Sequence, residues 1–226
     1  MFSGFSERTG GFLWELAFNN ERPWFLAHKQ EFEDAVNTPF KALAAESFRL
    51  FSARFPDFEG WVHVSRIYRD ARRLFGRGPY KDHLWFTVKS GALSHGGPDF
   101  WFFLGKSEYS YGLGFFAESP AQMELFRRAV DANPARFLRL AKAVERKGFT
   151  LDAPSYKRPK KVFDDPLLES WYNRKWLSVE KSFDLGGAAF TDALPGLVAD
   201  AWAELKPMHD FLLEAYLAKP EEGETT

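Results

Sequence analysis

The sequence predicts an α+β fold in which helices precede and follow an antiparallel meander of about four to five strands, in a single domain. Apolar residues recur at helical spacing at both ends of the chain, and strand-forming segments follow one another in the middle. The connections between those segments are short and contain Gly, Ser and Pro, which is typical of antiparallel neighbours. We expect the domain to cover residues 1–218 and a disordered acidic tail to cover residues 219–226.

Two helical regions are predicted before residue 55. The first has its apolar face at residues 12–17 and stops at Asn19–Asn20. The second begins near Arg22–Pro23, because proline is tolerated in the first turn of a helix. Pro39 lies inside this second pattern and lacks a backbone donor, so the pattern predicts either two consecutive helices or one kinked helix.

Four segments rich in β-branched and aromatic residues predict the strands. They are WVHVSRIYR (61–69), HLWFTVKSG (83–91), DFWFFLGKS (99–107) and YSYGLGFFA (109–117). Because side chains alternate along a strand, Arg66 and Arg69 are expected on opposite faces of the first strand, and only one of them would line a given cleft. A helical interpretation of residues 66–75 is the alternative, and it would place Arg66, Arg69 and Arg73 together.

Helices return after the strands. Ser119 is expected to cap a helix that is followed by a second one from Pro134 to Gly148. Residues 149–190 are interpreted as irregular, apart from a short helix near residues 166–171. A last helix starts near Pro195, and it is predicted to continue through Pro207 because the apolar spacing is kept.

The bulk composition excludes several classes of function. The chain has 30 basic and 31 acidic side chains, and this near-neutral balance argues against non-specific nucleic-acid binding. It has no cysteine, which excludes disulfides and thiolate chemistry. We predict no cofactor and no metal site, since none of the histidines stands at metal-ligand spacing with another. The absence of a secretory signal and of a long apolar run predicts a cytoplasmic protein without a membrane partner.

Positive charge is nevertheless concentrated in two segments. RIYRDARRLFGRGPYKDH (66–83) has six Arg and Lys side chains, and YKRPKK (156–161) has four with no acid among them. Such concentration on a near-neutral chain predicts a discrete anion site. In the first segment, Gly76 and Gly78 allow close backbone approach to a ligand. The alternative is an ordinary surface loop whose arginines pair with carboxylates on helices.

These segments predict a cleft for a small anionic ligand, bearing phosphate or carboxylate, which the protein would bind or act on. The expected ligand-binding residues are Trp24, Arg66, Arg69, Arg72, Tyr80, Lys81, Lys157 and Arg158. His28 and His83 are the candidates for acid–base catalysis, because histidine titrates near neutrality and each lies beside a basic motif. Each also has a structural interpretation, as a hydrogen-bonding residue.

Two further functions compete with the anion site. The alternative function is a protein-interaction module that presents an aromatic patch with a basic rim to a partner protein. Nucleic-acid binding would require both basic segments on one open face with aromatic side chains free to stack, and it ranks below the other two because the net charge is small.

Several motifs occur in a fixed order along nearly the whole chain. FLWELAFNNERPWFLAHKQEFE (12–33) is followed by RIYRD and PYK, then YGLGFF, YKRPKKVFDD, NRKW and LKPMHDFL. In this order they resemble the bacterial and fungal family catalogued as domain of unknown function 2461. The chain departs from that pattern at residues 71–78, where the family usually has TRFSKDKS. The resemblance implies no established activity, substrate or cofactor.

Overall fold

The structure is a computed structural model that describes residues 1–74, 76–91, 96–116 and 120–218. It confirms the α+β class, with helices flanking one open antiparallel sheet in one domain. The helices are α1 (Glu7–Phe18), α2 (Arg22–Ala27), α3 (Lys29–Phe32), α4 (Thr38–Arg54), α5 (Pro120–Ala132), α6 (Pro134–Arg146), α7 (Pro166–Tyr172) and α8 (Leu194–Leu217). The strands are β1 (Gly60–Val64), β2 (Leu84–Ser90), β3 (Pro98–Leu104), β4 (Glu108–Phe115), β5 (Thr150–Leu151) and β6 (Leu177–Asp184).

The strands lie in the order β1-β2-β3-β4-β6-β5, so the first four form the expected meander. β5 and β6 come from residues 149–190, which the sequence predicts as irregular apart from one short helix. That helix is confirmed as α7, but the irregular assignment is wrong for the two strands. β6 is hard to recognise because only its first half is buried, while Glu180 and Lys181 open a more exposed second half.

The chain packs as two compact units. The first unit comprises Met1–Gly91, Phe100–Tyr111 and Ser182–Ala203, and the second comprises the remaining described residues. In the first unit the ring of Phe51 in α4 lies 5.0 Å from that of Phe100 in β3 and 6.0 Å from that of Trp202 in α8. Buried rings of this size contribute most of the apolar burial that stabilises such a core.

The second unit has its own aromatic centre. The ring of Phe137 in α6 lies 5.3 Å from Phe126 in α5, 5.5 Å from Trp171 in α7 and 5.4 Å from Phe211 in α8. All four side chains are almost completely buried. These helices therefore pack around one aromatic cluster, and α8 continues through Pro207 as predicted.

Pro39 lies in the first turn of α4, and the chain compensates for its missing donor. A π-helical turn, Glu33–Asn37, precedes α4, so the helical run is neither two separate helices nor simply a kinked one. The backbone oxygen four residues before Pro39 is that of Ala35, and it accepts a buried hydrogen bond of 2.7 Å from the Thr9 hydroxyl in α1. A side chain from another helix thus satisfies the acceptor that proline leaves without an intrahelical donor.

The predicted strand over residues 61–69 is wrong beyond Val64, where β1 ends. Ser65 pairs with Trp85 through both its backbone and its side chain: its N–H donates to the Trp85 backbone oxygen at 2.8 Å, and its Oγ accepts a 3.0 Å hydrogen bond from the Trp85 N–H. The chain then folds back on itself: the backbone of Arg69 donates to Pro79 and that of Lys81 donates to Ile67, at 2.8 and 2.7 Å. Residues 66–81 therefore form a closed loop with a short 3-10 turn at Ala71–Arg73.

Asn20 closes this loop from the end of α1. Its side-chain amide donates to the backbone oxygen of Tyr80 at 2.9 Å, and its side-chain oxygen accepts from the Tyr80 backbone N–H at 2.9 Å. Gly78 makes room for this approach, because a Cβ at that position would lie 2.5 Å from the Asn20 backbone oxygen. We call this arrangement the Asn20 clamp. It fixes Tyr80, and with Tyr80 the neighbouring Lys81.

Some predicted features lie outside the described residues. They are the Ser119 cap and the tail over residues 219–226, so the predicted domain boundary at residue 218 stays a prediction. In the described part of the chain, no helix is both long and apolar enough to cross a membrane. Gly148 follows α6 with a φ of +79°, which is the left-handed conformation expected at a helix C-terminus.

The Asn20 clamp leads to a stability prediction. Gly78→Ala is expected to lower the free energy of unfolding by roughly 1–3 kcal/mol, because the new Cβ displaces Asn20 and leaves polar groups around Tyr80 unpaired. Urea denaturation followed by circular dichroism measures this change. Gly11→Ala in α1 is the matched control: a Cβ there has open space around it. This variant should gain about 0.5–1 kcal/mol from helix propensity. Equal effects of the two substitutions would contradict the clamp.

Candidate functional site

A cleft of about 650 Å³ opens beside the closed loop of residues 66–81 in the first unit. Its described lining comes from β1, the loop and β2, and we call it the basic cleft. The lining residues are His63, Ser65, Arg66, Tyr68, Arg69, Asp70, Ala71, Arg72, Arg77, Lys81 and Trp85. Five of them are Arg or Lys and one is an acid, so this wall is strongly positive.

Arg66 and Arg69 both line the basic cleft, so the prediction that they face opposite ways is wrong. The reason is that β1 ends before either residue, and strand alternation no longer applies. The guanidinium of Arg69 is held in place, because its Nε donates to the Tyr80 backbone oxygen at 2.8 Å. Arg66 is exposed, and no carboxylate of the described residues pairs with it.

Asp70 is the one acid among the described lining residues, and it is engaged by Arg72. The Arg72 guanidinium donates from Nε and Nη2 to the two Asp70 carboxylate oxygens at 3.0 and 2.8 Å. The Arg72 backbone N–H also donates to Asp70, at 3.0 Å, which caps the 3-10 turn. Asp70 thus pairs with Arg72, and the Arg69 Nη2 lies 3.7 Å from an Asp82 carboxylate oxygen, whereas Arg66, Arg77 and Lys81 have no carboxylate partner among the described residues.

Lys81 is the most buried of the charged residues in the described lining of the basic cleft. The residue is only 9% exposed, and its Nζ lies 4.0 Å from the centre of the Trp85 ring. No carboxylate of the described residues pairs with this amine. Burial, followed by the nearby charges of Arg69 and Arg66, lowers the pKa of Lys81 to about 8. The amine is therefore a charge that the fold places at the cleft wall without a counter-ion.

Asp82, the next residue, has partners of its own. Burial acts to raise the pKa of Asp82, but hydrogen bonds from Lys106 and His83 outweigh it and lower this pKa to about 2. The Lys106 Nζ lies 2.6 Å from one carboxylate oxygen, and the His83 Nδ1 lies 3.1 Å from the other. Asp82 thus stays ionised and bound to these partners, while Lys81 does not share them.

Four predicted site residues of the first unit lie outside the described lining of the basic cleft. Tyr80 is buried and stacks on Phe25, with ring centres 4.2 Å apart. The ring of Trp24 in α2 stacks on that of His28, which follows α2, with ring centres 4.2 Å apart. The His28 Nδ1 lies 2.8 Å from the Trp24 backbone oxygen. His83 is bound to Asp82, and burial lowers the pKa of its imidazole.

The second basic segment belongs to the second unit. The Asn173 side chain holds its backbone: its oxygen accepts from the Lys160 N–H at 2.7 Å, and its amide donates to the Lys161 backbone oxygen at 2.8 Å. The amine of Lys160 pairs with Glu124 and that of Lys161 with Asp131, at 3.0 and 2.6 Å. These two lysines therefore match the alternative interpretation, in which the segment is an ordinary surface loop whose cations pair with carboxylates.

Lys157 and Arg158, the two predicted site residues of that segment, are exposed. The described lining of the basic cleft belongs wholly to the first unit, whereas these two residues belong to the second.

The sequence prediction missed two aromatic walls of the cleft, Tyr68 and Trp85. Strand alternation could have found Trp85. β1 and β2 pair with His63 opposite Thr87 and Val64 opposite Phe86. Since Phe86 is buried in the core, the alternate positions His63 and Trp85 face away from it. Among the described residues, no three His, Asp or Glu side chains come together in a group that could hold a metal ion.

The family model described as conserved hypothetical protein (DUF2461) matches residues 8–211. No curated protein matches the chain. The matched region contains both the Asn20 clamp and every described residue that lines the basic cleft. Because the match covers most of the chain and agrees with the order of motifs in its sequence, the protein belongs to the conserved hypothetical protein family DUF2461.

Proposed function

We propose that the protein binds a small anionic ligand, bearing a phosphate or carboxylate group, in the basic cleft. The observation that supports this most directly is Lys81, a residue only 9% exposed whose side chain lines the cleft without a carboxylate partner among the described residues. A buried charge without a partner costs free energy, and natural folds rarely retain one. An anion in the cleft would supply the missing partner.

The rest of the basic cleft suits the same ligand. Arg66 and Arg69 offer planar guanidinium groups, which bind phosphate and carboxylate oxygens in pairs. Arg69 is already oriented by the Tyr80 backbone oxygen, so binding would require little reordering of that side chain. The Trp85 ring lies 4.0 Å from the Lys81 Nζ and keeps water from one side of the amine.

The remaining expectations from the sequence stay predictions. They are catalysis on the ligand with His28 or His83 as the acid or base, a contribution of Lys157 and Arg158 to the ligand site, and a cytoplasmic location. His83 would serve through Nε2, because its Nδ1 faces Asp82.

Sulfate is a suitable first probe of the cleft. We expect the wild-type protein to bind sulfate in isothermal titration calorimetry, and Lys81→Met and Arg66→Met each to weaken this binding about tenfold or more. The reason is that one charge-assisted hydrogen bond contributes about 1.5–3 kcal/mol.

Lys41→Met is the matched control for these variants, because it removes an exposed lysine charge on α4 outside the cleft lining. It should leave the sulfate affinity within about twofold of wild type at physiological ionic strength. Lys81→Met should also melt no earlier than wild type without sulfate, since it removes an unpaired buried charge. Full sulfate affinity in Lys81→Met would refute the proposal.

The pH dependence of sulfate binding gives a separate test. Sulfate binds the protonated amine, and the pKa of Lys81 in the free protein is lowered to about 8. Affinity should therefore be complete near pH 7 and fall as the pH rises above 8, by up to about tenfold per pH unit. Guanidinium groups keep their charge over this range. Lys81→Arg should make the profile flat, and a flat wild-type profile would count against Lys81.

A second candidate is a protein-interaction module, and one observation favours it. Trp14 and Phe18 of α1 stack at 6.1 Å and are 44% and 80% exposed. Leu26 of α2 is also more than half exposed. Large apolar side chains that remain in water in this way can bind another protein surface.

This candidate predicts self-association through α1 as its simplest form. In sedimentation velocity the wild type should show a mass that rises with concentration, and Phe18→Ser should abolish that rise. The variant should bind sulfate as the wild type does, because Phe18 does not line the basic cleft. If the wild type is a monomer at all concentrations, self-association through α1 is excluded.

A further inference from the structure

We propose that Lys81 is a covalent-reaction site, at which the amine condenses with the carbonyl group of an anionic aldehyde or 2-oxo acid held in the basic cleft. This inference rests on the proposed anion-binding function and specifies its substrate class. All substrates of this class have a carbonyl group beside a phosphate or carboxylate group. The experiment below separates the two kinds of anion.

The first step is that Lys81 is the one buried lysine among the described residues, and it also lacks the carboxylate partner that several of the other lysines have. Lys106, Lys160 and Lys161 each place Nζ within 3.0 Å of a carboxylate oxygen. Such pairing stabilises the protonated form and occupies its donors. Lys81 has no such partner among the described residues, and its Nζ instead lies against the Trp85 ring.

The second step is the surroundings of the amine. Lys81 lies at the wall of an open cleft and is 9% exposed, so a small molecule can reach a group that is largely removed from water. Burial and two neighbouring guanidinium groups disfavour its protonated form. Desolvation and adjacent positive charge are the two means by which proteins activate lysine as a nucleophile.

The third step is that the same two arginines can hold the substrate. Arg66 and Arg69 line the cleft with Lys81 and are close enough to influence its charge. A phosphate or carboxylate bound to them places the rest of a short ligand beside the amine. Holding two reactants together in this way replaces a bimolecular encounter by a local one.

The reaction balances without an oxidant or reductant. The neutral Lys81 amine donates its electron pair to the carbonyl carbon, and one proton passes from the nitrogen to the carbonyl oxygen to give a carbinolamine. A carbon–nitrogen double bond then forms as the carbon–oxygen bond breaks, and the hydroxyl group takes the second nitrogen proton and leaves as water. One amine and one carbonyl compound thus give one imine and one water molecule, and hydrolysis reverses the step.

Reductive trapping tests this directly. The full-length protein is incubated with sodium cyanoborohydride and either pyridoxal 5′-phosphate or pyruvate, and adducts are located by peptide mass spectrometry. Pyridoxal and methyl pyruvate are the matched probes that lack the anionic group. Lys41, an exposed lysine on α4, is the internal control. Lys81→Arg keeps the charge but removes the amine, and its sulfate affinity is measured in parallel.

We expect Lys81 to be modified at least about tenfold faster than Lys41, because the lowered pKa leaves far more neutral amine near pH 7.5. At least one anionic probe should modify Lys81 about tenfold faster than its uncharged match, and sulfate should protect it. The phosphate and carboxylate probes then show which anion the cleft prefers. Lys81→Arg should still bind sulfate but lose the adduct at this position.

The two proposals fail in different ways. Sulfate binding by wild type without preferential modification of Lys81 would overturn the covalent reaction and leave the anion site intact. Preferential modification that is equal for charged and uncharged probes, and that sulfate does not slow, would overturn the anionic substrate class and the proposed function together.

Discussion

The basic cleft depends on the pair of hydrogen bonds by which the Asn20 side chain holds the Tyr80 backbone. Tyr80 in turn offers its backbone oxygen to the Arg69 guanidinium, so one peptide unit links α1 to the orientation of a cleft side chain. Stacking of Tyr80 on Phe25 anchors the same residue in the core. A loop with so much positive charge would otherwise repel itself, and these neutral backbone contacts hold its shape together with the ion pairs of Asp70 and Asp82.

Charge is distributed unequally around this frame. Asp82 neutralises Lys106 and faces His83, while Asp70 neutralises Arg72. These acids belong to the same segment as the cations, yet Lys81 has no such partner among the described residues. Asp82 also lies 3.7 Å from the Arg69 guanidinium. The cations without a carboxylate partner among the described residues are thus Arg66 and Lys81, near the two ends of the segment, and Arg77. The proposed anion site rests on this distribution of charge.

Local chemistry explains what could be predicted from the sequence. The helices and the four-stranded meander follow from apolar spacing and turn residues, and the concentration of cations in residues 66–81 marked the cleft. The shared orientation of Arg66 and Arg69 could not be predicted, because it depends on β1 ending at Val64 and on the chain folding back so that Lys81 pairs with Ile67. The role of Gly78 was also hidden, since the contact it permits is with Asn20, far away in the chain. Sequence patterns report neighbours along the chain, whereas both of these effects are tertiary.

Under the proposed function, Lys81, which has no carboxylate partner among the described residues, also links the folding equilibrium of the protein to its ligand. A ligand that binds only the folded state stabilises it by mass action, by about 2.7 kcal/mol at a hundredfold excess over Kd. In this protein the ligand would also relieve an electrostatic cost that the empty fold carries. The folded fraction of the chain would then rise and fall with the supply of the anion, and resistance to proteolysis would change with it. The abundance of the protein would therefore report the concentration of its ligand.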